Sequence, residues 1–166
     1  MGILAKELIE NIIRPALIGI GMSRPEAEQL LVGTCAQESQ MGTYLKQDLG
    51  PALGLWQIEP KTHKDIWDNY LRFRPELATS IITTCGMSKP MTSCSPPDES
   101  LVYNLRYACL IARVKYLRDK AEIPLLDNIE AQAHLWKNVY NSVCGKGDVS
   151  AYLINYTRYI KPYYTK

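Results

Sequence analysis

The sequence has little that would divide it or assign it to a specialised class of protein. No charge block, low-complexity tract, linker or internal repeat interrupts its 166 residues, which predicts a single domain spanning 1–166. A chain of this length buries enough surface to fold without metals or disulfides. The formal net charge is only +2 and the basic residues are scattered rather than gathered into a stripe. This excludes an electrostatic case for nucleic-acid binding.

Metal-binding patterns are absent as well. The five cysteines contain no CxxC pair, and neither His63 nor His134 stands at the spacing of zinc ligands. We therefore expect no metal and no other cofactor, with structural or surface roles for both histidines. Buried or free thiols are the favoured state of the cysteines, although Cys85 and Cys94 share a loop-like stretch and could form a disulfide.

The apolar N-terminal segment, MGILAKELIENIIRPALIGIGM, has neither the unbroken apolar run of a membrane span nor the features of a signal peptide. Charged residues interrupt it at Lys6, Glu7, Glu10 and Arg14, and Pro15 should kink it. We expect an amphipathic packing helix, no stable membrane insertion and no signal peptide.

What is present is mainly helical patterning. Ser23 and Glu26 form a capping-box pattern, which predicts a helix that runs to about Glu38. Glycines and a proline then break the pattern, and GLWQI at 54–58 is typical of a short strand or extended segment. Further helices are predicted from Pro60 and Thr62, after a Pro- and Ser-rich loop at 85–100, from an Asp127 and Glu130 cap to about Tyr140, and from Asp148 onward.

Glu38 is the unexpected residue in this pattern. Read backward at helical spacing from Glu38, the residues Cys35, Thr34, Leu31 and Leu30 form an apolar stripe of the kind that faces a core. A carboxyl on such a face loses solvation for its charged form, so its pKa should rise. A carboxyl that is still protonated near neutral pH can act as a general acid in glycoside cleavage, whereas a satisfied structural glutamate is the alternative.

Four segments around and beyond Glu38 carry a resemblance to a known family. They are CAQESQMG at 35–42, GPALGLWQIEPKTH at 50–63, YACLIARVKYL at 107–117 and VYNSVCGKGDVSAYLINY at 139–156. In this order they resemble the lysozyme-like soluble lytic transglycosylases, and the second segment looks most like versions encoded by bacteriophages. The resemblance implies a mainly α, lysozyme-like (α+β) domain with a small extended region after the catalytic helix.

The resemblance also implies roles for individual residues. Glu38 matches the single catalytic acid of the family, and Ser39 matches a hydroxyl that helps to orient the acid or the substrate. Gln57 matches a glutamine that contacts the sugar chain beside the scissile bond. Tyr140 matches a tyrosine that holds the catalytic carboxyl. The resemblance also implies that Asn141 lies beside that tyrosine in the cleft. It implies that Tyr156 is an aromatic residue near the sugar subsites.

Three residues depart from the family pattern. Trp56 stands where methionine is usual, and Val139 stands where alanine is usual. Glu59 stands where an apolar residue is usual and adds a second carboxylate near the site, where it could bind glycan, cap the next helix or activate water. We therefore expect cleavage of the bond between N-acetylmuramic acid and N-acetylglucosamine in peptidoglycan strands, either by a lytic transglycosylase that forms 1,6-anhydro ends or by a muramidase that uses water.

A third reading is a non-catalytic virion or cell-wall-binding protein on the same fold, which the presence of Glu38, Gln57 and Tyr140 together disfavours. A helix-turn-helix DNA binder built on SRPEAEQLLVGT lacks a basic recognition face. The expected partners are peptidoglycan glycan strands and, for a bacteriophage protein, virion or tail proteins. The expected location is the virion, or the host cytoplasm with release to the periplasm or cell wall.

Overall fold

The computed structural model describes residues 2–88, 95–141 and 147–164, and within these ranges the chain is mainly helical, as predicted, and has no β-strand. The α-helices are α1 (Ala5–Leu8), α2 (Arg14–Gly19), α3 (Pro25–Ser39), α4 (Pro60–Asn69), α5 (Pro75–Thr84), α6 (Ser100–Tyr103), α7 (Leu105–Asp119), α8 (Ile129–Leu135), α9 (Val149–Tyr159) and α10 (Lys161–Tyr164). Two π-helical segments, Ile9–Ile13 and Trp136–Asn141, and a 3₁₀ turn at Leu71–Phe73 complete the list. None of the helices in the described ranges is long and apolar enough to cross a membrane.

Helix α3 is the centre of the domain. Every residue from 27 to 36 is buried, so α3 has no solvent-facing side over this stretch and packs against the N-terminal helix, α7 and α9. The expectation of a single apolar stripe is wrong for this reason. The predicted capping box is also wrong, because α3 begins at Pro25 behind Arg24 and no side chain caps its first turn.

The N-terminal segment is a packing helix, as expected. Helices α1 and α2 join through the π-helical segment Ile9–Ile13, and the helix continues past Pro15 to Gly19. Leu8, Ile13 and Leu17 are fully buried. The wider π turn lies just before the proline, where the regular hydrogen-bond pattern has to adjust.

The segment between α3 and α4 is a loop of tight turns rather than a strand. Two isolated antiparallel bridges, Lys46 with Leu53 and Leu53 with Ile58, are its extended elements. The predicted strand at 54–58 is wrong because residues 54–57 form a turn closed by the Leu53–Ile58 bridge. Gly54 makes this turn possible, because its φ is +74° and a Cβ there would lie 1.9 Å from the carbonyl oxygen of Leu101.

Asparagine and aspartate side chains cap α7, α8 and α9. Asn104 accepts a hydrogen bond from the amide of Tyr107 at the start of α7, and Asp148 caps α9, as predicted from the sequence. At α8 the cap is Asn128 rather than the expected Asp127. After α8 the chain continues as the π-helical segment that ends at Asn141.

The cysteines that the structure describes are free thiols, in agreement with the prediction of buried or free thiols, and Cys85 is only half-buried. Cys35 and Cys109 are free and fully buried, and burial raises the pKa of Cys35 to about 12. Cys94, one half of the suggested Cys85–Cys94 disulfide, lies outside the described residues. The glycine turn predicted around Gly145 also lies outside them.

Candidate active site

A cleft of about 620 Å³ opens at the C-terminal end of α3. Its lining brings together residues from distant parts of the sequence, as expected for a site assembled by the tertiary fold. They are Glu38, Gln47, Ala52, Gln57, Glu59, Thr62, Lys115, Val139, Tyr140, Asn141 and Gly147. Four of the residues predicted to act on or bind the substrate, together with Glu38 itself, therefore lie in one cavity.

Glu38 lies in the last turn of α3, where the buried helix reaches the cleft. Gln40 and Met41 follow with φ values of +49° and +60°, so the chain reverses at once and leaves the Glu38 side chain at the cleft wall. The side chain is half-buried. Burial is the largest influence on its pKa and raises it, as predicted from the sequence.

Trp136 is the direct partner of the carboxyl. Its indole Nε1 donates a 2.8 Å hydrogen bond to Oε1 of Glu38, and this bond lowers the pKa of Glu38 against the effect of burial. The indole packs against the ring of Tyr152, with 5.5 Å between the two ring centroids. Gly33 leaves room for Tyr152, since a Cβ at Gly33 would lie 2.1 Å from the tyrosine hydroxyl. Trp136 is buried, and its contact with Glu38 is not evident from the sequence.

Lys115, on α7, is a charged group that acts on Glu38 in addition to the neutral indole of Trp136. Its ammonium lowers the pKa of the carboxyl, and Glu38 and Glu59 in turn counteract part of the effect of burial on Lys115. The net result is a lowered pKa for Lys115, because burial is the larger influence. Nζ donates a 2.5 Å hydrogen bond to the carbonyl oxygen of Tyr140 and lies 3.9 Å from the centre of that ring. The sequence offered no reason to select Lys115 among the scattered lysines.

Tyr140 lines the cleft, but its hydroxyl is not bonded to the carboxyl of Glu38. The hydroxyl donates a 2.7 Å hydrogen bond to the carbonyl oxygen of Trp56 instead. Burial raises the pKa of the Tyr140 phenol well above its ordinary value, so the hydroxyl remains a neutral donor. The predicted hydrogen bond between Tyr140 and Glu38 is therefore wrong, and Trp136 donates the hydrogen bond to Glu38 instead.

Gln57 and Glu59 both line the cleft, whereas Trp56 and Ile58 are buried. Side chains alternate along an extended segment, which would give the same division, but the structure reaches it through a turn. Gln57 has a φ of +45°, and its side-chain amide donates a 2.8 Å hydrogen bond to the carbonyl oxygen of Gly54. Glu59 is exposed and immediately precedes α4. Its side chain does not cap that helix.

Ser39 and Tyr156 do not lie in the cleft. Ser39 is fully buried; its hydroxyl donates to the carbonyl oxygen of Cys35 at 3.2 Å and accepts from the amide of Gly42 at 2.9 Å. It therefore supports the end of the helix that carries Glu38 and does not contact a substrate. Tyr156 is 7% exposed, accepts a hydrogen bond from Gln29 and lines a different cavity. The predicted substrate contacts of these two residues are wrong.

Asn141 lies in the cleft, as the resemblance implies. Its side-chain oxygen accepts a 3.2 Å hydrogen bond from Lys137 one turn earlier in the π-helical segment. A Cβ at Gly147 would lie 2.9 Å from the amide nitrogen of Asn141 and 2.5 Å from the Trp136 indole. Gly147 therefore allows close approach of the chain to both residues at this wall.

His63 has the structural role predicted for it, although as part of a buried network. Nδ1 lies 2.6 Å from a carboxylate oxygen of Asp98 and Nε2 lies 2.5 Å from the hydroxyl of Tyr107, which also accepts a hydrogen bond from Trp67. Burial lowers the pKa of His63. Among the described residues no group of three or more histidine, cysteine or acidic side chains is placed to hold a metal ion.

No protein-family model, curated protein sequence or solved structure matches the chain. The case for a function consequently rests on the residues of the cleft and their chemistry.

Proposed function

We propose that this protein cleaves the β-1,4 bond between N-acetylmuramic acid and N-acetylglucosamine in peptidoglycan, as a lytic transglycosylase with Glu38 as its catalytic acid. The observation that carries the proposal is the position of Glu38: a half-buried carboxyl with a raised pKa, at the wall of an open cleft that is large enough for part of a sugar chain. We extend the proposal to a lysozyme-like fold, as the sequence resemblance implies.

The reaction can be written with the residues of the cleft. The protonated Glu38 gives its proton to the glycosidic oxygen, the bond from C1 of the muramyl residue to that oxygen breaks, and N-acetylglucosamine leaves with a free 4-hydroxyl. Positive charge develops at C1 and the substrate's own N-acetyl group assists. The 6-hydroxyl of the same sugar then bonds to C1 and returns its proton to the Glu38 carboxylate, so that the acid is regenerated and no water is consumed.

Trp136 and Lys115 adjust the pKa of Glu38 so that it can act as an acid in the first half of this cycle and as a base in the second. Burial favours the protonated acid that the first half needs, and the indole N–H and the ammonium favour the carboxylate that the second half needs. A carboxyl balanced between these influences can exchange a proton in either direction near its working pH. Gln57 and Asn141, both in the cleft lining, supply amide groups that can hydrogen-bond to sugar hydroxyl and N-acetyl groups.

The second candidate function is hydrolysis of the same bond by a muramidase. Glu59 favours it, because a second carboxylate lines the cleft and could activate a water molecule. In the non-catalytic alternative, the cleft binds cell-wall glycan without turnover.

The experiment that separates these readings is incubation of the protein with purified sacculi, followed by mass spectrometry of the released muropeptides. A lytic transglycosylase yields 1,6-anhydro ends and a muramidase yields reducing ends. Release of no muropeptides, with retention of the protein on the sacculi, would support the binding protein instead. If activity is found, the proposed location in a bacteriophage virion or in an infected host becomes the next question.

A further inference from the structure

Lys115 is the one positively charged side chain among the described residues that line the cleft. It is half-buried on α7, and burial lowers its pKa. Neither Glu38 nor Glu59 forms an ion pair with it in the part of the chain that the structure describes. Arg118, one turn later on α7, adds a further positive charge nearby. Lys115 is therefore a partly desolvated cation without a direct counter-ion.

Tyr140 holds the ammonium at the cleft wall. Nζ donates a hydrogen bond to the carbonyl oxygen of Tyr140 and lies 3.9 Å from the centre of its ring, and no other hydrogen bond of Nζ is found within the described ranges. An ammonium has three N–H donors, so the carbonyl and the ring leave at least one for another acceptor. Neither contact supplies a negative charge. A carboxylate from a ligand would supply both the acceptor and the charge.

The muramyl residue of the proposed substrate brings such a group to this part of the cleft. Its C1 lies at Glu38 during the reaction, because the bond from C1 to the protonated oxygen is the one that breaks. The lactyl group of the same sugar is attached at C3, one ring carbon away from C1. Lys115 is close enough to Glu38 to lower the pKa of that carboxyl. The ammonium and the lactyl group therefore belong to the same region of the cleft.

The charge of the lactyl group depends on the state of the glycan strand. Where a stem peptide is attached, the lactyl carboxyl is a neutral amide, and where the peptide has been removed it is a free carboxylate. Hydrogen bonds between two charged groups are roughly twice as strong as those between neutral groups. Glu38 enters the reaction as a neutral acid, so Glu59, which is exposed, is the carboxylate of the described lining that opposes an anion.

We propose that Lys115 binds the free lactyl carboxylate of the muramyl residue at the cleaved bond, so that the protein acts preferentially on glycan strands without stem peptides. This inference rests on the function proposed for the cleft. Strands of this kind are produced by hydrolysis of the amide bond between the lactyl carboxyl and the first amino acid of the stem. The protein therefore acts after a reaction of that class.

Isothermal titration calorimetry on the full chain carrying Glu38→Gln tests the proposal, because the introduced amide resembles the protonated acid and the probes are not consumed. The probes are three forms of one tetrasaccharide of alternating N-acetylglucosamine and N-acetylmuramic acid: free lactyl carboxylates, lactyl methylamides and intact peptide stems. We expect the free acid to bind about tenfold or more tightly than the methylamide, and the stem-bearing form to bind like the methylamide.

Three results would each overturn the proposal. They are equal binding of the free acid and the methylamide, tighter binding of the stem-bearing form, and no binding of the free acid at millimolar concentrations. Tighter binding of the stem-bearing form would assign recognition to the peptide instead of the lactyl carboxylate.

Variants in the same background assign the preference to Lys115. Lys115→Met should bind the free acid and the methylamide alike because the charge is lost, whereas Lys115→Arg should keep the preference. Arg106→Met changes an exposed arginine near the start of α7 and should also keep it. Lys115→Gln provides a second neutral variant if Lys115→Met does not fold. An undiminished preference in a folded neutral variant would show that Lys115 does not contact the lactyl group.

Cleavage of sacculi by the parental chain, measured separately, distinguishes failure of this inference from failure of the proposed function. A chain that cleaves sacculi but binds the free acid and the methylamide alike would reject the inference alone. A chain that does not cleave sacculi but prefers the free acid would reject the proposed function and keep Lys115 as a ligand-binding residue.

Discussion

The indole nitrogen of Trp136 donates a 2.8 Å hydrogen bond to the carboxyl of Glu38, across 98 positions of sequence. This bond connects the π-helical segment Trp136–Asn141 to the last turn of the central helix. It favours the carboxylate form of Glu38, whereas burial favours the acid form.

Glu38→Gln should reduce release of muropeptides from sacculi by about two to four powers of ten, because the shape of the side chain is kept and the transferable proton is lost. The measurement compares equal amounts of folded protein. Glu76→Gln, which changes an exposed glutamate at the start of α5, is the matched control and should keep parental activity. Activity of Glu38→Gln within about tenfold of the parent would remove Glu38 from the catalytic role.

The same variant should also change the pH dependence of stability. The folded-state pKa of Glu38 is raised above its ordinary value of 4.5, so its contribution to stability is fully present below that pH and is lost as pH rises through the folded pKa. The amide introduced by Glu38→Gln does not titrate. In chemical denaturation at a series of pH values, the stability of Glu38→Gln relative to the parent should therefore increase with pH. A constant difference would mean that burial does not raise this pKa.

Trp136→Phe should move the basic limb of the pH–activity profile to higher pH. Loss of the indole N–H removes a bond that favours the carboxylate, so Glu38 remains protonated further into the alkaline range. Trp67→Phe is the control, since Trp67 is also buried and donates its N–H to Tyr107 away from the cleft. Both variants should lose stability, but the control should keep the parental pH profile. An unmoved profile in Trp136→Phe would contradict the assigned role.

Lys115→Met should move the same basic limb in the same direction, because the ammonium favours the carboxylate form of Glu38. Lys115→Arg keeps the positive charge and should leave the limb close to its parental position. The readout is the pH profile of turbidity loss by sacculi. If the methionine and arginine variants shift alike, the effect comes from the lost hydrogen bond to the Tyr140 carbonyl and not from charge.

Tyr140→Phe should lower the free energy of unfolding by about 1–3 kcal/mol, since it leaves the buried carbonyl oxygen of Trp56 without its donor. Activity should fall less than in Glu38→Gln, because the hydroxyl bonds to a backbone oxygen and not to the carboxyl of Glu38. Denaturant melts and muropeptide release, measured on the same preparations, check both parts. Unchanged stability with a severe loss of activity would restore the direct bond to Glu38 that the sequence resemblance implies.

Glu59→Gln should keep activity within about tenfold of the parent and keep 1,6-anhydro ends as the main product, because an exposed carboxylate before α4 is better placed to bind glycan than to deprotonate water. Mass spectrometry of the products decides. Mainly reducing ends from the parent, abolished in Glu59→Gln, would replace the transglycosylase with the muramidase.

Local sequence determined the helices and several residues of the cleft. The helix Pro25–Ser39, the helix that begins after Asp148 and the mainly α class all follow from residue spacing and from helix start signals over a few residues, although the predicted cap of the first helix is wrong. Gln57 and Asn141 were placed in the cleft by their similarity to a family pattern, and Glu59 by its position two residues after Gln57, although it departs from that pattern. The strand predicted at 54–58 failed because Gly54 permits a turn that Leu101 packs against, which residues nearby in sequence do not reveal.

Tertiary structure alone decided which groups surround the carboxyl. Nothing in the sequence around Trp136 shows that its N–H donates to Glu38, 98 positions away. Ser39 and Tyr140 carry hydroxyls that suggested contacts with substrate and acid, yet packing directs them to backbone atoms at Cys35 and Trp56. Helix periodicity depends on neighbours three or four positions away, whereas the partner of a buried polar atom depends on how distant helices pack.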